Sequence, residues 1–252
     1  MAGHSKWSKV KRIKGALDAK RGLLFSKLSK EISVAAKIGG GNPAVNPRLR
    51  AAIESAKAQR MPSDNIERAI KKATGELEMR DVEEITYEGY APGGVAVLVE
   101  AATDNRNRTA AEIRSIFTKN HGSLGGPGSV SYLFHRVGEI TLESSVDELQ
   151  LMDVAVAAGA EDYEVDDGVV VVKTAPDRLY SASSALRERG LVPLSQKLVY
   201  QASTSVHVAD AEMAKQVLRL CEALEDNDDV LAVHTNFDTS DEVLSQINKG
   251  LN

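Results

Sequence analysis

Five cations and one indole fall within nine residues near the start of the chain: Lys6, Lys9, Lys11, Arg12 and Lys14, with Trp7 among them. Lysine and arginine neutralise phosphates and release condensed counterions, and an indole can stack on an unpaired base. The set therefore has the chemistry of a nucleic-acid contact. The competing reading is a solubilising arm with Trp7 tucked against a neighbouring helical bundle. The charge continues through Lys20, Arg21, Lys27, Lys30 and Lys37, which weighs toward contact.

Arg48, Arg50, Lys57, Arg60, Arg68, Lys71 and Lys72 form a second set with few acids to balance it. About half of these are expected to be ordinary surface charges. If about six met phosphate, affinity would fall roughly a thousandfold between 50 and 200 mM salt. No helix here carries an evident base-reading set, so recognition of shape or backbone is expected rather than a sequence code.

Two further segments could touch a ligand. Asn105–Arg108 reads NRNR between a strand and a helix, where Arg106 and Arg108 could reach phosphate or a base edge, or where the run simply caps the helix. The stretch His121–Ser129 is Gly-rich and almost uncharged, with His121, Gly122, Ser123, Gly125, Gly126, Gly128 and Ser129 as candidate contacts. It lacks the GK[ST] ending and the strand-to-helix setting of a phosphate-binding loop. It reads either as a mobile contact loop or as a plain connector.

Signals for catalysis or metal are weak. The histidines His4, His121, His135, His207 and His234 show no paired metal spacing, and Cys221 falls in a helical apolar pattern that predicts burial. The acidic runs EDYEVDDG and EDNDD lack the calcium-loop register and read as exposed hairpin and helix-end charges. The expectation is a non-enzymatic chain with no metal, cofactor or small-molecule substrate.

The elements that must carry these residues follow from periodicity. A helix is expected from Asp18, with Leu24, Leu28, Ile32 and Ala35 as its apolar stripe and Gly39-Gly40-Gly41 as its stop. A second starts after Asn46 with Pro47 in its first turn and buries Leu49, Ile53 and Ala56. A third follows Pro62, with Ser63 or Asp64 as cap, Glu67 completing a capping box, and Gly75 as its end. Beyond Thr86 the pattern turns to period two: a hairpin around APGG, then strands and helices in the order β-β-α-β and β-α-β-β-α-β-α-β, including a helix over VDELQLMDVAVAAG. This is the content of two small α+β sandwiches whose alternation is ferredoxin-like. The residues after Thr239 read as a fraying polar tail.

Composition sets the outer bounds. The 252 residues are 42% hydrophobic and 4% aromatic, enough for two or three cores built of small aliphatic side chains. One cysteine and the lack of an apolar leader predict a mature cytoplasmic protein, and no apolar run approaches membrane-spanning length. The net charge of −5 conceals a split: residues 1–76 hold 17 Lys+Arg against 6 Asp+Glu, a net of +11, and the remainder has a net of −16. Such asymmetry points to nucleic acid at one end, with the acidic body repelling phosphate.

Over MAGHSKWSKVKRIKGALDAKRGLLFSKLSKEI, RMPSDNIERAIKKATG, YEGYAPGGVAVLVEAATDNRNRTAAEIRSIFTKNHGSLGGPGSVSYLF and EDNDDVLAVHTNF the chain resembles the YebC family closely. The resemblance implies an N-terminal three-helix domain (1–76), a second α/β domain (80–131 plus 205–240) and a third α/β domain inserted into it (132–204). It implies a nucleic-acid-binding regulator of gene expression, with two labels in the family. Bacterial members are described as DNA-binding transcriptional regulators; mitochondrial relatives act as translational activators, and bacterial ones have been linked to ribosomes and to consecutive prolines. The partner implied is either rRNA in the ribosome or promoter DNA. Asn42 departs from the pattern, where many relatives carry an acidic residue.

Overall fold

The computed structural model describes Trp7 and residues 21–75, 82–143, 159–166 and 169–249. In chain order its elements are α1 (Arg21–Gly39), α2 (Pro47–Ala58), α3 (Ser63–Ala73), β1 (Glu83–Ala91), β2 (Val95–Thr103), α4 (Arg106–Lys119), β3 (Ser123–Leu124) and β4 (Phe134–Glu143). There follow β5 (Ala160–Asp166), β6 (Val169–Thr174), α5 (Leu179–Glu188), β7 (Ser195–Ala202), β8 (Val206–His207), α6 (Ala211–Glu225), β9 (Val230–Thr235), β10 (Phe237–Asp238) and α7 (Asp241–Lys249). The fold is α+β. The described residues fall into two compact units, those within Met1–Lys30, Met79–His135 and Gln201–Asn252, and those within Glu31–Glu78 and Arg136–Tyr200.

The first unit is built on an antiparallel sheet ordered β3-β1-β2-β9. The β1–β2 hairpin pairs Glu83 with Thr103 through to Ala91 with Val95. It turns on Pro92–Gly94, where Gly93 and Gly94 both sit at φ 75°, a conformation only glycine adopts without strain. VAVLVEAAT in β2 is buried on both faces, as its nearly uninterrupted apolar run requires of a central strand. Ile113 and Phe117 from α4, with Val217, Leu220 and Leu224 from α6, join Val97 and Val99 in one core.

The expected fraying tail is instead α7. Ser240 Oγ accepts from the Val243 amide at 3.3 Å, and Val243, Leu244 and Ile247 recur at helical spacing and are buried in the same core. Those three apolar positions outweigh the polar residues between them, which face solvent.

In the second unit the sheet order is β5-β6-β4-β7, with β6 paired antiparallel to β4 and β5. Ile140, Leu142, Val170 and Val172 of this sheet pack with Leu179, Ala182 and Leu186 of α5. The expected helix over VDELQLMDVAVAAG lies outside the described residues, apart from its last glycine.

The three helices refine the periodicity. In α1, Ile32 and Ala35 are buried but so are Ser33, Val34 and Ala36, so this turn is enclosed all round rather than along one stripe, while Leu24 and Leu28 are half-buried. Asn46 caps α2 by accepting from the Leu49 amide, with Pro47 in the first turn, and its Nδ2 donates to Ala35 O and Gly40 O at 2.8 Å. Ala52 is buried where Ile53 was expected. The capping box of α3 does not form. Pro62, extended at ψ 138°, occupies the cap position without a side-chain bond. Ser63 and Asp64 therefore fall inside the first turn, where Asp64 complements the helix dipole, and Glu67 lies 3.8 Å from Lys71 instead.

Candidate nucleic-acid interface

Three of the exposed cations in the helical segment lie on α3, with further ones at the end of α1 (Lys37), in α2 (Lys57) and in the turn before α3 (Arg60). Ile66 and Ala69 face inward, so Arg68, Lys71 and Lys72, spaced three and four apart, share the opposite exposed face. Lys57 closes α2 and Arg60 lies in the turn, both exposed; Arg60 takes φ 58° while its amide donates to Lys57 O and that of Met61 to Ala56 O. The Lys71–Glu67 pair is exposed on both sides and contributes little to holding either charge.

Arg48 and Arg50, expected as contacts, are engaged within their own unit. Arg48 makes a two-pronged pair with Glu31, at 2.9 and 3.1 Å. The Arg50 guanidinium lies 3.6 Å over the Tyr180 ring and donates to Ala44 O. A planar fork suits both a carboxylate and an aromatic face, which is why arginine rather than lysine stands at these positions.

Lys6, Lys9, Lys11, Arg12, Lys14 and Lys20 lie outside the described residues, as does the Arg21 side chain. Trp7 is described, and it corrects the stacking expectation. It is 3% exposed within the core of the first unit, and its indole Nε1 donates to Glu225 Oε1 at 3.2 Å. The buried ring satisfies its one donor and offers no free face to a base. Nearby, Lys27 donates to Glu225 O, and Lys30 donates to Asp228 O and to Asp229 Oδ1, each at 2.7 Å. These two lysines are engaged by the α6–β9 turn.

That turn contains the residue the sequence concealed. EDNDD was read as exposed charge, yet the Asp229 side chain is 6% exposed and collects Lys30, Arg108, Thr103 and Thr109. Burial opposes its charge, but hydrogen bonds from Lys30, Arg108 and Thr109 outweigh that and hold its carboxyl well below the usual carboxylate range. The Arg106/Arg108 pair therefore divides. Arg108 bonds Asp229 at 2.8 Å and Asp104 at 3.2 Å, while Asn105 caps α4 by accepting from the Arg108 amide. Arg106 stays exposed at the first turn of the helix. The adjoining concave surface carries Lys30 and Arg108 against Asp104, Glu112, Asp226 and Asp228, a balance that disfavours phosphate.

The Gly-rich loop is tied to β1 by backbone and side-chain bonds. Ser123 and Leu124 pair with Tyr90 and Gly89 of β1. The buried Glu88 carboxylate then accepts from the amides of Gly128, Val130 and Ser131 at 2.7–2.8 Å. Gly125 donates to Glu88 O, and Tyr90 Oη donates to Ser129 O, both at 2.8 Å. Burial disfavours the Glu88 charge, yet these backbone donors prevail and lower its pKa. His121 sits exposed at φ 59° at the loop's entrance, and Gly122 and Gly125 have no room for a Cβ.

Cys221 is fully buried, and burial pushes its thiol pKa up. His234 bonds Glu100 at 2.7 Å and His207 bonds Asp238 at 2.9 Å. Among the described residues no three His, Cys, Asp or Glu side chains converge to hold a metal, and no helix is long and apolar enough to cross a membrane.

Fold and site together define an α+β chain of two units whose helical segment exposes a cationic face. It belongs to the TACO1/YebC family: the family's N-terminal domain matches residues 5–76, and its second and third domains match 82–237. A probable transcriptional regulatory protein of Treponema denticola is 52% identical over 239 residues, covering 94% of this chain and 96% of the relative. One of the same description from Akkermansia muciniphila is 51% identical over 250 residues, covering 98% of this chain and 100% of the relative. The crystal structure of a conserved hypothetical protein, Aq1575 from Aquifex aeolicus, superposes with a TM-score of 0.85 at 49% identity, covering 90% of this chain and 94% of that one.

Proposed function

We propose that the chain is a non-catalytic regulatory factor of gene expression that binds nucleic acid through its phosphates and acts on the ribosome through rRNA. The observation that carries this reading is the exposed cationic face of Arg68, Lys71 and Lys72 with Lys57 and Arg60, set in a segment of net +11 attached to a body of net −16. Phosphate is attracted to exposed cations and repelled by the carboxylates that dominate the rest of the chain, which favours approach by this face. The cations sit on helices without a flanking base-reading set, which fits recognition of backbone and shape. The ribosomal assignment rests on the resemblance to translational activators, and a cytoplasmic setting goes with it.

A second reading, a DNA-binding transcriptional regulator, is favoured by what the Treponema and Akkermansia relatives are called. The burial of Trp7 strengthens it, because an indole free to stack on unpaired bases would favour RNA.

Crosslinking in cells, followed by sequencing of the attached nucleic acid and sedimentation with ribosomes, separates the two. Recovery of rRNA with co-sedimentation is the expected result. Promoter DNA without rRNA would assign the chain to transcription, and recovery of neither would remove both readings.

A further inference from the structure

We propose that Tyr132, on the turn after the Glu88-held loop, is a stacking contact for an unpaired nucleic-acid base. This rests on the nucleic-acid reading above and names a second, aromatic element within it.

Tyr132 is 72% exposed, more than any other described aromatic side chain. Tyr180 is the next most exposed, and the Arg50 guanidinium lies over its ring. An exposed ring alone is common; the rigidity of its mount is not. Tyr132 occupies a single 3-10 turn, Ser131–Leu133, flanked by the buried Val130 and Phe134. The Ser131 amide is held by the Glu88 carboxylate, the Leu133 amide donates to Val130 O at 2.9 Å, and Leu133 O accepts from Ser203 N at 2.8 Å. The backbone is thus pinned on both sides of a side chain that reaches into solvent. Fixing the backbone that carries the ring removes that part of the ordering cost of stacking.

The electrostatics agree. Residues 113–135 contain no Asp or Glu, although the chain beyond residue 76 holds 30 of them, and they include Arg114 and Lys119. The nearest carboxylate in the hydrogen-bond network is Glu88, which is buried and answered by three amides, so it presents little field outward. A run without carboxylates opposes the approach of a phosphate chain less than the acid-rich remainder of the sequence does. A stacking tyrosine in such a setting reads any base by its π-face and gives no sequence code.

The test uses the full chain with a single-stranded oligoribonucleotide carrying 2-aminopurine, and with the corresponding duplex. Binding of the wild type should quench 2-aminopurine emission in the single strand, and Tyr132→Phe should preserve the quench. Tyr132→Ala should abolish it and weaken single-strand affinity roughly 5- to 100-fold, with duplex affinity, salt slope and melting temperature unchanged. If Tyr132→Ala binds and quenches as the wild type does, or if the wild type binds without quenching, the stacking assignment fails while phosphate binding stands. If the wild type binds neither strand, this inference and the functional reading fall together.

Discussion

At the scale of single residues, Asp229 decides most. Its carboxylate is enclosed by Lys30, Arg108, Thr103 and Thr109, so replacing it with an amide removes the charge that two cations and two hydroxyls share and one of its two acceptor oxygens. Lys30 and Arg108 are partly exposed and can recover water, which limits the damage to the loss of charge-assisted hydrogen bonds. Asp229→Asn should therefore destabilise by about 1–3 kcal/mol in urea unfolding. The pH dependence has a definite sign. The folded pKa lies below the unfolded one, so the stabilisation is fully present above the ordinary aspartate range of about 4 and is lost as pH falls toward the folded value. Stability of the wild type between about pH 5 and 2 should fall more steeply than that of Asp229→Asn; parallel curves would mean that the carboxylate is already protonated or unpaired. Sequence alone shows four acids in EDNDD but not which one turns inward, because that depends on cations more than a hundred residues away. The one local sign is that Asp229 directly precedes the apolar VLAV of β9. Trp7 was illegible for the same reason: it joins the first unit's core and bonds Glu225, 218 residues away in sequence.

At the scale of elements, legibility tracked the range of the forces involved. The Asn46–Pro47 start of α2, the APGG hairpin and the amphipathic α4, α5 and α6 are written in local chemistry, and they form where expected. What failed was set by tertiary packing: the all-round burial of α1 over 32–36, the replaced cap of α3, and α7. A tail and a docked helix make opposite predictions for Leu244. Buried in the first unit's core, its truncation to Ala should cost about 2–4 kcal/mol and lower the melting temperature by several degrees. A frayed tail would tolerate the change within about 0.5 kcal/mol. A parallel test bears on α2. Asn46→Ala removes a cap and two side-chain donations that tie the Gly39–Gly41 turn to the helix, and should cost about 1–2 kcal/mol in thermal or chemical unfolding. A neutral result would show that water replaces all three bonds.

For the whole molecule, the distribution of charge matters more than its sum. A chain of net −5 would be repelled by nucleic acid if its charges were mixed, and several of the described cations are already matched: Arg48 by Glu31, Arg108 and Lys30 by Asp229, Lys173 by Glu164, Arg187 by Glu54. The face of α3 differs because its cations outnumber its acids and are exposed. If that face meets phosphate, each cation removed should subtract its share of counterion release. The triple variant Arg68→Ala, Lys71→Ala, Lys72→Ala should lower the slope of log Kobs against log salt by about 2–3 for duplex DNA, and by slightly less for a single strand. Because the three side chains are exposed, folding stability should move by no more than about 0.5 kcal/mol each. A slope unchanged by the triple variant but flattened by Lys6→Ala, Lys9→Ala, Lys11→Ala, Arg12→Ala and Lys14→Ala together would move the phosphate grip off α3 and onto the first residues of the chain. Slopes that fall in both would mean that both segments meet phosphate, each contributing in proportion to its cations.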